Sequence, residues 1–400
     1  MTDHGHDGEP LALPLKRTVP TEIPGEYAEL REKRPVCPVT LATGDPAYLV
    51  TRHEDLKTVL ADRRFSRAAM CEEGAPRLQA IRPNPETIIN MDPPRHSRIR
   101  RLAAEAFTAE RLERLWPCIE DAVRELLDEM AKMAPPVDLI TAFARPLPLR
   151  IICDLIGVPF EDRARFVRWA EIIMTLGSTA EEIMATYIEM RGYFVELVGR
   201  KRDEPGDDFL SVLARRSGED GRLTESELVS LGTFLLVAGH ETSITILTAA
   251  VHRMIRHPDQ LAALRADPAL LPGAVEEFLR VGLPGLSPFP RIALTDVELS
   301  GEKIPKGAAV IVQYETALRD PRVQDDPERF DIRRKQASQV FFGYGPHFCL
   351  GAPVARAELR IGIPALFERF PELALAIPED ELKWRDYAVL GNFEEFPVTW

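Results

Sequence analysis

The sequence predicts a mainly α-helical fold with a small β region. Three observations carry this reading: helical apolar spacing through most of residues 109–200, one long apolar stretch from Thr224 to Arg256, and alternating segments confined to residues 47–51, 296–312 and 373–400. Four hundred residues with 45% hydrophobic content can bury a large core. We read the chain as one domain spanning residues 1–400, with residues 1–19 as a flexible N-terminal tail.

Taken in order, Met1 to Pro10 is polar, with His4 and His6, and no apolar core of signal-peptide length follows it. Ala47 to Thr51 reads as a strand and His53 to Ala61 as a helix. Arg82 to Asp92 is loop-like, and the double proline Pro93-Pro94 opens a further helix. Arg111 to Met130 is amphipathic, as is Asp138 to Ile156, which Pro146 and Pro148 interrupt. Phe160 to Leu176 and Ala180 to Arg200 form a helical pair joined near Gly177-Ser178.

Thr224 to Arg256 is the longest periodic stretch. Thr224 and Glu227 fit a capping box, and His257-Pro258 marks the end. An unbroken helix of that length spans about 50 Å. Apolar residues occur all round it, so it belongs in the core. The polar string Gly239-His240-Glu241-Thr242-Ser243 in its middle argues against a membrane span. Glu241 in a buried helix needs a partner, a proton or water. Thr242 can bond back to the Ala238 carbonyl, or turn away and leave it for water.

Further on, Ala274 to Arg280 is helical, and Glu277 and Arg280 share a face. Pro284 to Pro290 is extended. Asp296 to Val312 alternates like a small sheet with its turn at Ile304-Pro305-Lys306-Gly307. Pro353 to Phe370 has helical spacing, and Leu373 to Trp400 reads as short strands with a loop at Tyr387 to Gly391.

A net charge of −13 argues against a general nucleic-acid binder. The five cysteines (37, 71, 118, 153 and 349) are odd in number and scattered, which fits a reducing compartment without a disulfide framework. With no apolar run of spanning length outside the interrupted helix, we expect a soluble, cytoplasmic protein without a membrane partner.

The chemistry concentrates in Val340 to Ala352, where four aromatics, glycines, a proline and Cys349 precede a helix. Glycines let a flat object approach the backbone closely. A cysteine at a helix mouth sits where amide N–H groups favour a thiolate. That thiolate could be a nucleophile, a zinc ligand or the axial ligand of a haem. Zinc wants more partners than His347 alone, and the loop shows no base for a nucleophile. Haem fits best, since one protein ligand suffices.

The pattern Phe342-x-x-Gly345-x-His347-x-Cys349-x-Gly351, with Gly343 also in the frame, resembles the haem-ligand loop of the cytochrome P-450 monooxygenases. The resemblance extends from about Pro20 to the end through four motifs in order. It implies the cytochrome P-450 fold, haem b held by Cys349 as axial iron ligand, and Phe342, Gly343, His347 and Gly351 around it. Thiolate ligation favouring O–O cleavage is the handed-down property of that class. Asp92-Pro93-Pro94-x-His96-x-x-x-Arg100 matches the motif whose His96 and Arg100 reach a propionate, and Arg291 matches the second propionate-binding position. Ala238-Gly239-His240-Glu241-Thr242 resembles the oxygen-activating segment, with Glu241 and Thr242 as the catalytic acid–alcohol pair and Ala238 and Gly239 leaving room for the cofactor. Glu277, Arg280 and Arg329 correspond to the structural network.

By the same resemblance, Leu286, Ser287 and Phe289, with Val389 and Leu390, border a pocket for a hydrophobic small molecule. One atom of O2 enters that substrate. The electrons come from NAD(P)H through a separate ferredoxin and ferredoxin reductase, with Arg98, Arg101 and Arg356 as contacts for an acidic partner. The alternatives are another oxidative outcome (epoxidation, coupling, N-oxidation, peroxide-driven oxidation) or a non-catalytic haem sensor. The family's usual Ala-Asn-Arg-Asp-Pro is here Ala317-Leu318-Arg319-Asp320-Pro321, and Glu315 just before it has no account in the sequence.

Overall fold

A computed structural model describes residues 10–17, 22–105, 107–215, 223–282, 289–335, 340–385 and 391–400. Its first half holds helices α1 (Gly25–Lys33), α2 (His53–Ala61), α3 (Arg95–Ala104), α4 (Ala109–Met130), α5 (Pro146–Ile156), α6 (Arg163–Met174) and α7 (Ala180–Asp203). Then come α8 (Phe209–Ala214), α9 (Glu225–Arg256), α10 (Pro258–Ala266), α11 (Leu271–Val281), α12 (Tyr314–Ala317) and α13 (Ala352–Arg369).

Strands β1 (Leu11–Ala12), β2 (Val36–Thr40), β3 (Pro46–Val50) and β4 (Phe65–Ser66) precede β5 (Val137–Asp138). They are followed by β6 (Arg291–Ala293), β7 (Val297–Leu299), β8 (Glu302–Ile304), β9 (Ala309–Val312), β10 (Ala374–Leu375) and β11 (Pro397–Thr399). A mixed sheet runs β1-β2-β3-β9-β6-β4, a small one β10-β11-β5, and β7-β8 is a separate hairpin.

Helix α9 organises the rest. The Thr224 hydroxyl accepts from the Glu227 amide while the Glu227 carboxylate accepts from the Thr224 amide, so the helix starts where the capping box places it. Being apolar on all sides, it is surrounded: α5, α7, α11 and α13 all pack on it. It is long and apolar enough to cross a membrane, but about two-thirds of its apolar window is buried inside the protein. Glu227 also receives Arg98 at 2.5 Å and Arg95 at 3.5 Å, which ties α3 to the start of α9.

Three expectations need correction. Residues 10–17 are not part of a loose tail: β1 pairs parallel with β2, Leu13 is buried, and Arg17 donates to both Glu315 oxygens at 2.8 and 2.9 Å. That buried ion pair is the reason for Glu315. Second, Pro146 opens α5 instead of interrupting a longer helix, because a first-turn residue needs no amide donor. A short π-helical turn, Ile140–Ala144, precedes it.

Third, the alternating segment 296–312 divides between two sheets. The hairpin turns at Ser300-Gly301, and the Pro305–Gly307 turn sends β9 away to pair with β3 and β6. Gly301 and Gly307 both have positive φ, +83° and +87°, so turn chemistry alone did not separate them. Leu318, whose effect the sequence left open, is only 2% exposed and joins an apolar cluster with Ala317 and Val340, so the position is core.

Candidate active site

Gly343 and Gly345 turn the Cys349 loop, with φ of +82° and +73° that only glycine adopts without strain. At Gly345 a β-carbon would also lie 3.0 Å from the Leu60 carbonyl and the Ala61 Cα of α2. The Cys349 amide donates to the Phe342 carbonyl at 2.8 Å, which closes the loop. Burial pushes the Cys349 thiol up. The amides of Gly351 and Ala352, with Arg100 and Arg356, pull the other way by favouring a thiolate. Cys349 is deeply enclosed yet has an open side. Such a residue lies at the floor of a cleft.

Cations gather beside it. His96 and Arg291 are 2% and 4% exposed, and the His96 and His347 rings lie 4.1 Å apart between centroids. Arg100 donates to the Phe348 carbonyl, one residue before the cysteine. Burial, then neighbouring cations, lowers His96 to about 4 and His347 to about 2, so both are neutral. Burial lowers Arg100 and Arg291 as well. Among the described residues neither forms an ion pair with a carboxylate. The His96 Nδ1 has no partner.

Arg67, which the sequence reading missed, completes the group. It is buried, lowered to about 9 by burial and by Arg291, and donates to the Ile89 and Pro290 carbonyls and to Asn90. A single thiolate donor under an open cleft, with surplus buried positive charge at its edge, fits an iron porphyrin with two carboxylates.

On the other side is α9. Within this buried helix, Phe234, Val237, Ala238 and Thr242 are half-buried, at spacings that put them on one face. Leu350, next to Cys349, packs into the same apolar cluster as Phe234 and Val237. The Thr242 hydroxyl donates to the Ala238 carbonyl at 2.8 Å, the back-bonded option. Glu241 is 7% exposed, and burial raises its pKa against the weaker pull of Arg385 and Arg145. It therefore favours its protonated, donating form.

Two details were not anticipated. A β-carbon on Gly239 would lie 2.8 Å from the Ile152 Cδ1 of α5, so its missing side chain lets α5 pack closely on α9. Glu358 of α13 is buried, pushed up to about 8, and hydrogen-bonded to Ser243 beside the acid–alcohol pair. No local pattern in the sequence marks it.

The structural network forms, with one exchange. Arg280 donates to both Glu277 oxygens at 2.7 and 2.8 Å, all fully buried. The third member is Arg334, whose guanidinium lies 3.3 Å from Glu277. Arg329 offers its carbonyl to Arg280, and its side chain lies outward, 3.3 Å from Asp331. Tight turns across 325–334 bring the later arginine inward.

Of the suggested partner contacts, Arg98 is taken by Glu227, and Arg356 by Glu276 and the Phe342 ring. Arg101 is exposed. Leu286, Ser287, Val389 and Leu390 lie outside the described residues. Phe289 is partly exposed beneath the Arg67 guanidinium.

Residues 166–382 match the family described as Cytochrome P450. Nocardicin C N-oxygenase of Nocardia uniformis subsp. tsuyamanensis is 41% identical over 98% of this chain and 97% of its own. The chain belongs to the cytochrome P450 family. This P450 is also 40% identical to mycinamicin IV hydroxylase/epoxidase of Micromonospora griseorubida, over 98% of the chain and 99% of the relative. Among solved structures, the putative thioether synthase SgvP of griseoviridin tailoring has a TM-score of 0.93 at 43% identity, covering 98% of this chain and all of that one. The leinamycin hydroxylase LnmA of Streptomyces atroolivaceus has a TM-score of 0.89 at 42% identity, with the same coverage. The mainly helical P450 fold, the monooxygenase class and haem as cofactor follow from this membership.

Proposed function

We propose that this P450 uses O2, two electrons and two protons to place one oxygen atom in a hydrophobic small molecule of bacterial secondary metabolism, releasing water. The observation that carries the dioxygen route is the pair on α9: a buried Glu241, its pKa raised by burial, beside a Thr242 hydroxyl on the half-exposed face. Haem, when bound, supplies the redox chemistry of oxygen activation. Cys349 would hold its iron, and His96, Arg100, Arg291 and Arg67 its carboxylates. Thr242 can leave the Ala238 carbonyl and turn its hydroxyl into the cleft, and Glu241 supplies that hydroxyl with a proton.

The electrons pass from NAD(P)H through a ferredoxin and its reductase in the cytoplasm, with exposed Arg101 as a contact for an acidic partner. Hydroxylation is the reading we favour. Relatives named for N-oxygenation, epoxidation and thioether synthesis keep other oxidative outcomes as the second reading.

Replacing Thr242 by Ala tests the assignment. We expect NAD(P)H consumption to continue while product per NAD(P)H falls and peroxide rises. Unchanged coupling at full turnover would remove Thr242 from the proton route. Compounds that shift the resting haem spectrum would then define the substrate class.

A further inference from the structure

His240 is 1% exposed, and neither ring nitrogen has a hydrogen-bond partner. Its Nδ1 lies 3.5 Å from the Glu241 Oε1, close but outside hydrogen-bonding geometry. Nearby, the Nε of Arg145 is buried and equally unpartnered. Arg145 follows the π-helical turn Ile140–Ala144 that packs on α9, and its charge reaches both His240 and Glu241. At its outer end it faces Glu171 of α6 at 3.7 Å, where the two side chains are 25% and 44% exposed. Orphaned polar atoms are rare in protein interiors, and those of His240 and Arg145, whose charge acts on the imidazole, mark a place for water. Burial keeps the imidazole neutral, with one nitrogen to donate and one to accept.

We propose that His240 is the inner part of a proton-supply route to Glu241, joined through water at the Arg145 Nε to solvent at the Arg145–Glu171 pair. This builds on the assignment of Glu241 and Thr242 above. When Glu241 has given up its proton, a proton enters His240 at Nε2 from the bound water, and the Nδ1 proton passes to the Glu241 carboxylate. The ring is left as the Nε2–H tautomer; it resets by turning Nδ1 to the bound water, taking a proton there and releasing the Nε2 proton, with the water's own proton replaced from solvent. His240 is thus a positioning and relay residue that touches neither substrate nor haem.

The test uses the ferredoxin-supported holoenzyme. His240→Gln keeps a polar group of similar size that cannot relay, and we expect product per NAD(P)H to fall at least about tenfold, with a larger solvent isotope effect on turnover. His240→Asn serves the same purpose should the first variant not fold. Glu171→Gln should show a smaller change in the same direction. A high-resolution crystal structure of the unmodified protein should show a water within hydrogen-bond reach of both His240 and the Arg145 Nε.

A dry gap there overturns the route. So does unchanged coupling and isotope effect in the His240 variant while Thr242→Ala uncouples. If Thr242→Ala also stays coupled, the underlying acid–alcohol assignment has failed instead.

Discussion

Arg280 and Arg291 are both buried guanidiniums, 0% and 4% exposed, and they differ in what faces them. Arg280 lies between two carboxylate oxygens of Glu277 and two backbone carbonyls, so its charge is answered within the chain. Arg291 is lowered by burial and in turn lowers Arg67 and His347, with Tyr314 and the Asp92 carboxylate as the groups that pull it back up. The first cluster is finished and holds the fold. The second is incomplete, and that incompleteness identifies it as a site, because a buried cation without a counterion is costly to keep.

The comparison can be broken at several points. Replacing Cys349 by Ala should have the largest effect: complete loss of the thiolate-type spectrum of the reduced, carbon-monoxide-treated protein. A parent-like spectrum would leave the cationic cluster without its cofactor. Next, Glu277→Ala leaves Arg280 and Arg334 buried without a counterion and should cost about 3–5 kcal/mol of stability. Chemical denaturation reads this, and an unchanged midpoint would show that the finished cluster is dispensable.

Arg291→Leu should behave in the opposite sense. The apo-protein should be no less stable, since cation repulsion is relieved, while haem is lost faster to a competing acceptor by about tenfold or more. Equal destabilisation of apo and holo forms would erase the distinction between the clusters. The smallest effect lies outside both. Burial holds His240 near 3 and His252 near 4, below their usual 6.5. Their contribution is intact above pH 6.5 and is lost as pH falls from there toward about 4 and 3. Each removes about 1 kcal/mol per pH unit in that window. A urea midpoint lower at pH 5 than at pH 7, with the slope reduced in His252→Gln, checks the sign.

What could be read from the chain alone follows from locality. The limits of α9 were legible because Thr224, Glu227 and Pro258 act within a turn of themselves. The Cys349 loop was legible because its glycines, histidine and cysteine lie within about one loop's length. Arg67 was not, since its meaning comes from Arg291, more than two hundred residues away. Glu315 stayed unexplained for the same reason, its partner being Arg17. Arg329 and Arg334 carry the same side chain five residues apart, and only the turns between them decide which enters the core. The packing role of Gly239 was not legible, because a small residue on a helix serves a neighbouring helix as well as a ligand, and Ile152 is not visible in the local pattern.

The seam between the two ends of the chain has a consequence for biosynthesis. Arg17 reaches Glu315 and sits over the Trp384 ring, while β11, at Pro397–Thr399, supplies the middle strand of the small sheet that begins with Val137. Partners separated by two to three hundred positions cannot meet while the later ones are still inside the ribosomal tunnel. A nascent chain therefore carries an unzipped flank until β11 has left the tunnel, and chains cut short before Pro397 should accumulate as chaperone clients instead of as shortened enzyme.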